Sequence, residues 1–179
     1  FGGSDYSNMF EGCTSLKTAP ALPATTLAGD CYRGMFRGCT SLTTAPALPA
    51  TTLRDNCYRD MFRGCTSLTT APALPATTLR ECCYQNMFNG CTSLTSAPAL
   101  PATTLAAHCY DSMFKNCSKI ELSETQVGEY QNEYRIPTSG EGVDADNAFY
   151  QMFTNTGGTF TGAPTINTTY YTSNAIINP

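Results

Sequence analysis

Ten cysteines, one histidine and six regularly placed arginines are the side chains of this 179-residue sequence whose types and spacing could support chemistry. Cysteine comes first, because thiolates bind metals and thiols form disulfides. Cys13, Cys39, Cys65, Cys91 and Cys117 recur at a step of 26, and Cys31, Cys57, Cys83 and Cys109 keep the same step. A tetrahedral metal site needs closely spaced ligand pairs, and the sequence offers none. Within one unit the two cysteines stand eight residues apart. On a helix that separation is about 12 Å, beyond the reach of a disulfide. One of the columns has five members and so cannot pair completely. Both columns therefore read as buried thiols serving as small hydrophobes, with inter-unit disulfides as the alternative. Cys82 falls outside both columns and is expected at the surface.

The lone His108 occupies a variable slot shared with Asp30, Asn56 and Cys82, where it reads as a capping or solvent-facing residue. No Ser/His/Asp set, recurrent carboxylate pair or phosphate-binding glycine loop is visible. The segment TGGTFTG near Gly157 lacks the strand-to-helix context that phosphate binding requires. The chain is accordingly not read as an enzyme, and no catalytic, metal or cofactor residue is assigned. The arginines are more informative. Arg33 with Arg59, Arg37 with Arg63, and Arg54 with Arg80 repeat at the step of 26 and would stack as three columns. One reading is a solvated face with Asp30, Asp55, Asp60 and Glu81 as counter-charges. The other is a shallow basic patch for an acidic glycan or protein surface, which makes these six the candidate partner-binding residues. Tyr130, Tyr134, Tyr170 and Tyr171 crowd the C-terminal region among carboxylates. They are secondary candidates, for sugar stacking, with packing of a cap as the alternative.

The elements that must position these residues repeat. The text MFRGCTSLTTAPALPATTLR runs from Met35 to Arg54 and returns unchanged from Met61 to Arg80. A Met-Phe pair occurs at 9/10, 35/36, 61/62, 87/88 and 113/114, always 26 apart. A period this strict predicts units that bury their apolar sides against their neighbours. Within a unit, Cys31, Met35 and Cys39 fall at i, i+4 and i+8 with Tyr32 and Phe36 beside them, which predicts a short helix. Leu42, Ala45 and Leu48 follow along an extended segment, and Leu53 returns to the core. Pro46 and Pro49 each remove a ladder donor, so any strand there must be short and its sheet incomplete. The period breaks after Cys117. About thirty residues fit no unit, and Phe149, Met152, Phe153 and Thr156 then reproduce a degenerate sixth one.

The residues Phe36, Gly38, Cys39, Ser41, Leu42, Ala45, Leu48, Pro49 and Leu53, repeated over about residues 5–122, resemble the BspA-like leucine-rich repeats of bacterial surface proteins. The unit of 26 is longer than the usual one, and proline stands inside the strand. The resemblance implies an α/β solenoid, a right-handed superhelix of short helix plus short parallel strand units with an irregular C-terminal cap. Residues 1–122 would form the repeat array and residues 123–179 the insertion and cap. It also implies adhesion or surface binding, with ligands that differ between members. Asp111-Ser112-Met113 resembles the short O-glycosylation motif of Bacteroides exported proteins.

Composition sets the outer bounds. Charged residues are 13% of the chain, there is no Trp, and the net charge is −4. Residues 118–147 carry seven carboxylates against Lys119 and Arg135, an acidic balance that argues against nucleic-acid binding. No apolar run is long enough to span a membrane as a helix. The opening FGGSDYSNMF reads as the tail of a unit, which points to a product cut from something longer. The expected function is a non-enzymatic binding or adhesion module at the cell surface or outside the cell, lipid-anchored in its precursor. Its partner would be a host or bacterial surface protein or a glycan, with end-to-end or lateral self-association. The alternative is a spacer or stalk with no ligand of its own.

Overall fold

The segment from Asp30 to Cys39 uses its backbone in strict alternation. The N–H groups of Asp30, Tyr32, Gly34, Phe36 and Gly38 donate to the carbonyls of Asp55, Cys57, Arg59, Met61 and Arg63 in the following unit, at 2.8–3.0 Å. The N–H groups between them, from Cys31 to Cys39, donate three residues back, to Ala28, Asp30, Tyr32, Gly34 and Phe36. Such a row is possible only if the chain reverses its twist every fourth residue, and it does. Asp30, Gly34 and Gly38 have φ of 57°, 59° and 72°, in the left-handed region. The same positions in later units are Asn56, Asp60 and Gly64, then Cys82, Asn86 and Gly90, then His108, Ser112 and Asn116, all with positive φ. Glycine has no Cβ to clash there, and Asn and Asp tolerate the conformation best among the rest.

This computed structural model describes residues 6–137, 145–165, 168–174 and 176–177. Among them it contains no helix and four strands of two or three residues: β1 Glu121–Leu122, β2 Asn132–Tyr134, β3 Gly157–Gly158 and β4 Tyr170–Thr172. The expected α/β solenoid of helix-plus-strand units, and with it the leucine-rich-repeat superhelix, is therefore not what forms. The physical reason lies in the turn row. A helix returns each N–H to the carbonyl four residues earlier. Here every second N–H is sent sideways to another unit instead.

Side chains pointing inward from the rows stack in columns. Phe10, Phe36, Phe62, Phe88, Phe114 and Phe153 lie with ring centroids 5.5–5.7 Å apart and planes within 14° of parallel. Tyr6, Tyr32, Tyr58, Tyr84, Tyr110 and Phe149 form a second column at 5.8–6.0 Å. Met35, Met61, Met87 and Met113 fill the space between, all buried. The last cysteine of each row has a specific place. Cys39, Cys65, Cys91 and Cys117 point Sγ at the carbonyls of Phe10, Phe36, Phe62 and Phe88 at 3.0–3.1 Å. Each of those carbonyls also accepts an N–H from its own row, so the thiol occupies a second lone pair. Cys57, Cys83 and Cys109 are buried free thiols as well, whereas Cys13 of the first row is exposed. Cys82 is buried too, 8% exposed, against the expectation of a surface thiol.

Beyond the row, Leu42, Leu48, Ala50 and Leu53 and their repeats complete the core. The extended segments meet their neighbours only at single residues: Thr18, Thr44, Thr70 and Ser96 in one parallel line, with Thr26 to Thr52 and Thr78 to Thr104 in another. The two prolines per unit between those lines keep them from growing into strands. At the C-terminal side β1 pairs with β3 in parallel, and β2 with β4 antiparallel. These segments close the last units. Tyr134 donates its hydroxyl to the Pro98 carbonyl at 3.1 Å, and Arg135 donates to the carbonyls of Leu100 and Ala102. The Phe153 N–H goes to Gly162 O at 2.7 Å, with Tyr134 and Phe160 edge-on to the Phe153 ring.

Two measurements test this architecture. Gly64 has φ of 75° and an open approach to Gly38, so a Cβ there meets conformational strain and no clash. Gly64→Ala is expected to lower the unfolding free energy by about 1–2 kcal/mol. Gly64→Asn recovers most of that loss, because Asn116 holds the same position at φ of 63°. Urea unfolding of the two variants separates this from a helical row, in which Ala would stabilise. The buried thiols make a second case. Burial pushes Cys57, Cys65 and Cys117 up from the ordinary 9.0 to about 12, and Cys109 to about 11. Above pH 9 the unfolded chain releases thiol protons that the folded chain keeps, so the folded state loses ground. Stability is thus expected to be insensitive to these groups below pH 9 and to fall as pH rises from there toward 12. Unfolding at graded pH measures it.

Candidate functional site

The outward positions of the turn rows carry the residues that differ between units. At the first outward position stand Ser7, Arg33, Arg59, Gln85 and Asp111, and at the second Glu11, Arg37, Arg63, Asn89 and Lys115. Because the backbone ladder is fixed, residues 26 apart on this strip become neighbours, and the strip has a composition that varies along the molecule.

Four of the six candidate arginines lie on it, and each is engaged. Arg33 donates to Asp30 at 3.4 Å, and Arg37 lies 3.6 Å from Glu11 of the preceding unit. Arg59 donates to Asn56 at 3.4 Å, with its Nε 3.6 Å from Asp60. Arg63 donates to the same Asp60 at 3.3 Å. Asp30 and Asp60, two of the four expected counter-charges, lie beside these guanidiniums together with Glu11, so the strip is mixed in charge. The Arg33–Asp30 and Arg37–Glu11 pairs are exposed, and such pairs hold weakly, typically by under ~1 kcal/mol, so they exchange readily for a ligand; Asp60 is buried. Arg54 and Arg80 are exposed, stand just before the rows, and have no carboxylate within 4.0 Å among the described residues.

The C-terminal half of the strip is built around a buried carboxylate that the sequence reading passed over. Asp111 Oδ2 accepts from Gln85 Nε2 at 2.9 Å and lies 3.0 Å from His108 Nδ1. Its Oδ1 accepts from the Ser112 hydroxyl at 2.7 Å. Serine, histidine and aspartate do meet here, but both Ser112 and His108 are held by the carboxylate. Nucleophilic catalysis needs the imidazole between hydroxyl and carboxylate, so this group organises the surface and does not activate a nucleophile. The signal was present in the sequence: residues 85 and 111 are 26 apart, and 108 and 111 flank one turn. Buried Ser112 is also poorly placed for the modification its motif resembles. An amide ladder continues the strip, with Asn89 donating to Asn86, Asn116 to Asn89 and Asn155 to Asn116 at 2.9–3.2 Å. Lys115 donates to Gln151 at 2.7 Å.

The tyrosine group separates. Tyr134 and Tyr170 are core residues, 1% and 0% exposed, and Tyr170 accepts the Thr165 N–H on its hydroxyl. Neither presents a ring to solvent, so the four do not form a stacking platform. Tyr130 and Tyr171 are half-buried, and Tyr150 is the exposed ring of this region at 52%. Glu141 and Asp144 of the acidic stretch lie outside the described residues. Among the described residues no group of three or more His, Cys, Asp or Glu side chains could hold a metal ion, and no helix is long and apolar enough to cross a membrane. No family model, curated protein or solved structure matches this chain.

Removing the buried carboxylate leaves Gln85, His108 and Ser112 without their acceptor. Asp111→Ala is expected to cost about 1–3 kcal/mol in chemical denaturation, while His108→Ala, which keeps the carboxylate satisfied from two sides, costs less than ~1 kcal/mol.

Proposed function

We propose that the chain is a non-enzymatic binding module of a bacterial cell surface that recognises a host or bacterial surface protein or a glycan. The observation that carries this reading is the outward strip: its side chains change from unit to unit over a backbone and core that barely change. A scaffold of constant rows with variable outward residues is a means of presenting chemistry at fixed spacing. The resemblance of the repeat text to BspA-like surface proteins supports the same reading. The mixed charge of Arg33, Arg37, Arg59 and Arg63 and the unpaired Arg54 and Arg80 suit an acidic glycan or an acidic protein face, and do not suit nucleic acid in a chain of net charge −4. A place outside the cell is compatible with the thiols, because the buried ones are kept protonated and shielded from oxidants.

A second reading, a spacer that projects another domain, draws on the near-identity of the second and third full units. One experiment separates the two. On an array of glycans and matrix proteins the module is expected to bind saturably, and Arg37→Glu with Arg63→Glu is expected to weaken that binding at least tenfold, about 1.4 kcal/mol. An unchanged thermal midpoint in the double variant establishes that the surface and not the fold was altered. Full retention of binding removes the arginines from the mechanism, and absence of any binder favours the spacer.

A further inference from the structure

The outward strip holds one unfilled step. On its C-terminal side the hydrogen bonds run without a break: Ser112 and His108 meet the Asp111 carboxylate, and Gln85 Nε2 donates to it at 2.9 Å. On the other side Arg59 Nη1 donates to Asn56, and Arg63 Nη1 to Asp60. Arg59 and Gln85 stand where the two runs meet. They lie side by side at the first outward position, because the Asp60 N–H is bonded to the Gln85 carbonyl at 2.9 Å. Arg59 Nε and Gln85 Oε1 are both closed off from water and have no hydrogen-bond partner among the described residues. The Asp60 carboxylate stands 3.6 Å from that Nε, too far for a hydrogen bond. One atom thus lacks an acceptor and its neighbour lacks a donor.

Leaving such groups unmatched costs free energy, which a ligand that matches both recovers. A carboxylate only accepts and an ammonium only donates, whereas a hydroxyl does both from a single atom. The rest of the strip suits further hydroxyls. Asn89 and Asn116 each use one N–H and one oxygen lone pair in the amide ladder, which leaves a second of each on both side chains. Tyr150, aligned with Gln85 and Asp111 at the first outward position, exposes its ring.

Resting on the reading of the chain as a binding module, we propose that the strip from Arg59 to Tyr150 is an oligosaccharide site. One sugar hydroxyl bridges Arg59 Nε and Gln85 Oε1, others meet Asn89 and Asn116, and a sugar ring lies against Tyr150. This selects a glycan over a protein partner, since a sugar combines closely spaced hydroxyls with an apolar ring face that an aromatic ring can cover. The bridge and the ring stand two rows apart, so a single sugar does not reach both. Arg59 and Gln85 are themselves partly exposed, and a turn of their outer bonds opens the two atoms to the ligand.

The probes are linear tetrasaccharides of glucose, mannose, galactose and N-acetylglucosamine, arrayed beside matrix proteins. At least one saccharide is expected to bind the full chain saturably. Arg59→Lys, which keeps the charge but removes Nε, and Tyr150→Ala are each expected to weaken that binding about tenfold or more, with unchanged thermal midpoints. By heteronuclear NMR the Arg59 Nε–H signal of the unaltered chain is expected to shift, and to exchange with water more slowly, when the saccharide is added. Saccharide binding that survives unchanged in either variant overturns the site and leaves the binding-module reading standing. So does binding confined to proteins. Failure to bind anything on the array removes both.

Discussion

The structure depends on a division of labour among backbone N–H groups. Half of those in a turn row are satisfied within the row and half in the next unit. Neither half is enough alone. The local bonds hold each three-residue turn but leave the row without lateral support, and the lateral bonds need every second N–H to be aimed outward in register. The left-handed residue at every fourth position is what reconciles them. Buried backbone groups left unmatched are costly, so the whole row either forms together with its neighbours or does not form.

The side chains follow from that spacing. Once rows are locked one above the next, identical residues must stack on themselves, and only residues that stack well are acceptable inside. Phe and Tyr rings do so offset and nearly parallel, with centroids 5.5–6.0 Å apart. Cysteine suits the end of the row because it is small and carries a weak donor that reaches a carbonyl already bonded once. The arrangement has a blemish. The hydroxyls of Tyr58 and Tyr84 are buried without a hydrogen-bond partner, the consequence of repeating a residue whose polar end has nowhere to go at every level.

Much of this was legible in the sequence, and the rest was hidden for identifiable reasons. The period and the inward residues Met35, Phe36, Cys39, Leu42, Leu48 and Leu53 could be read directly, since repetition and apolarity are one-dimensional signals. The helix could not be excluded by spacing, because a four-residue repeat followed over only eight residues drifts little from a 3.6-residue one. What distinguished them was the residue type at the fourth position: Asp30, Gly34 and Gly38, then Asn56, Asp60 and Gly64, a series poor for helices and suited to left-handed turns. The outward pairs between units were hidden for a different reason. Arg37 meets Glu11, and Gln85 meets Asp111, only after the ladder has set its register. Whether Tyr134 and Tyr170 pack a cap or present their rings stayed open, because the C-terminal segment carries no period from which to infer its inside.

The direction of the lateral bonds has an electrical meaning. Every backbone cross-unit bond in the rows runs from an earlier N–H to a later carbonyl, from Asn8 to Asn116. Their peptide dipoles therefore add along the axis of the rows, as they do in a helix, although no helix is present. The first row is the negative pole, where no N–H among the described residues reaches the Met9 and Glu11 carbonyls, and the last is the positive one. Charge follows that gradient at one end: the rows themselves are nearly neutral, while Glu121, Glu124, Glu129, Glu133 and Asp146 gather toward the later end. The acidic stretch that first argued only against nucleic acid thus also carries the sign opposite to the positive end of a long array of aligned peptides.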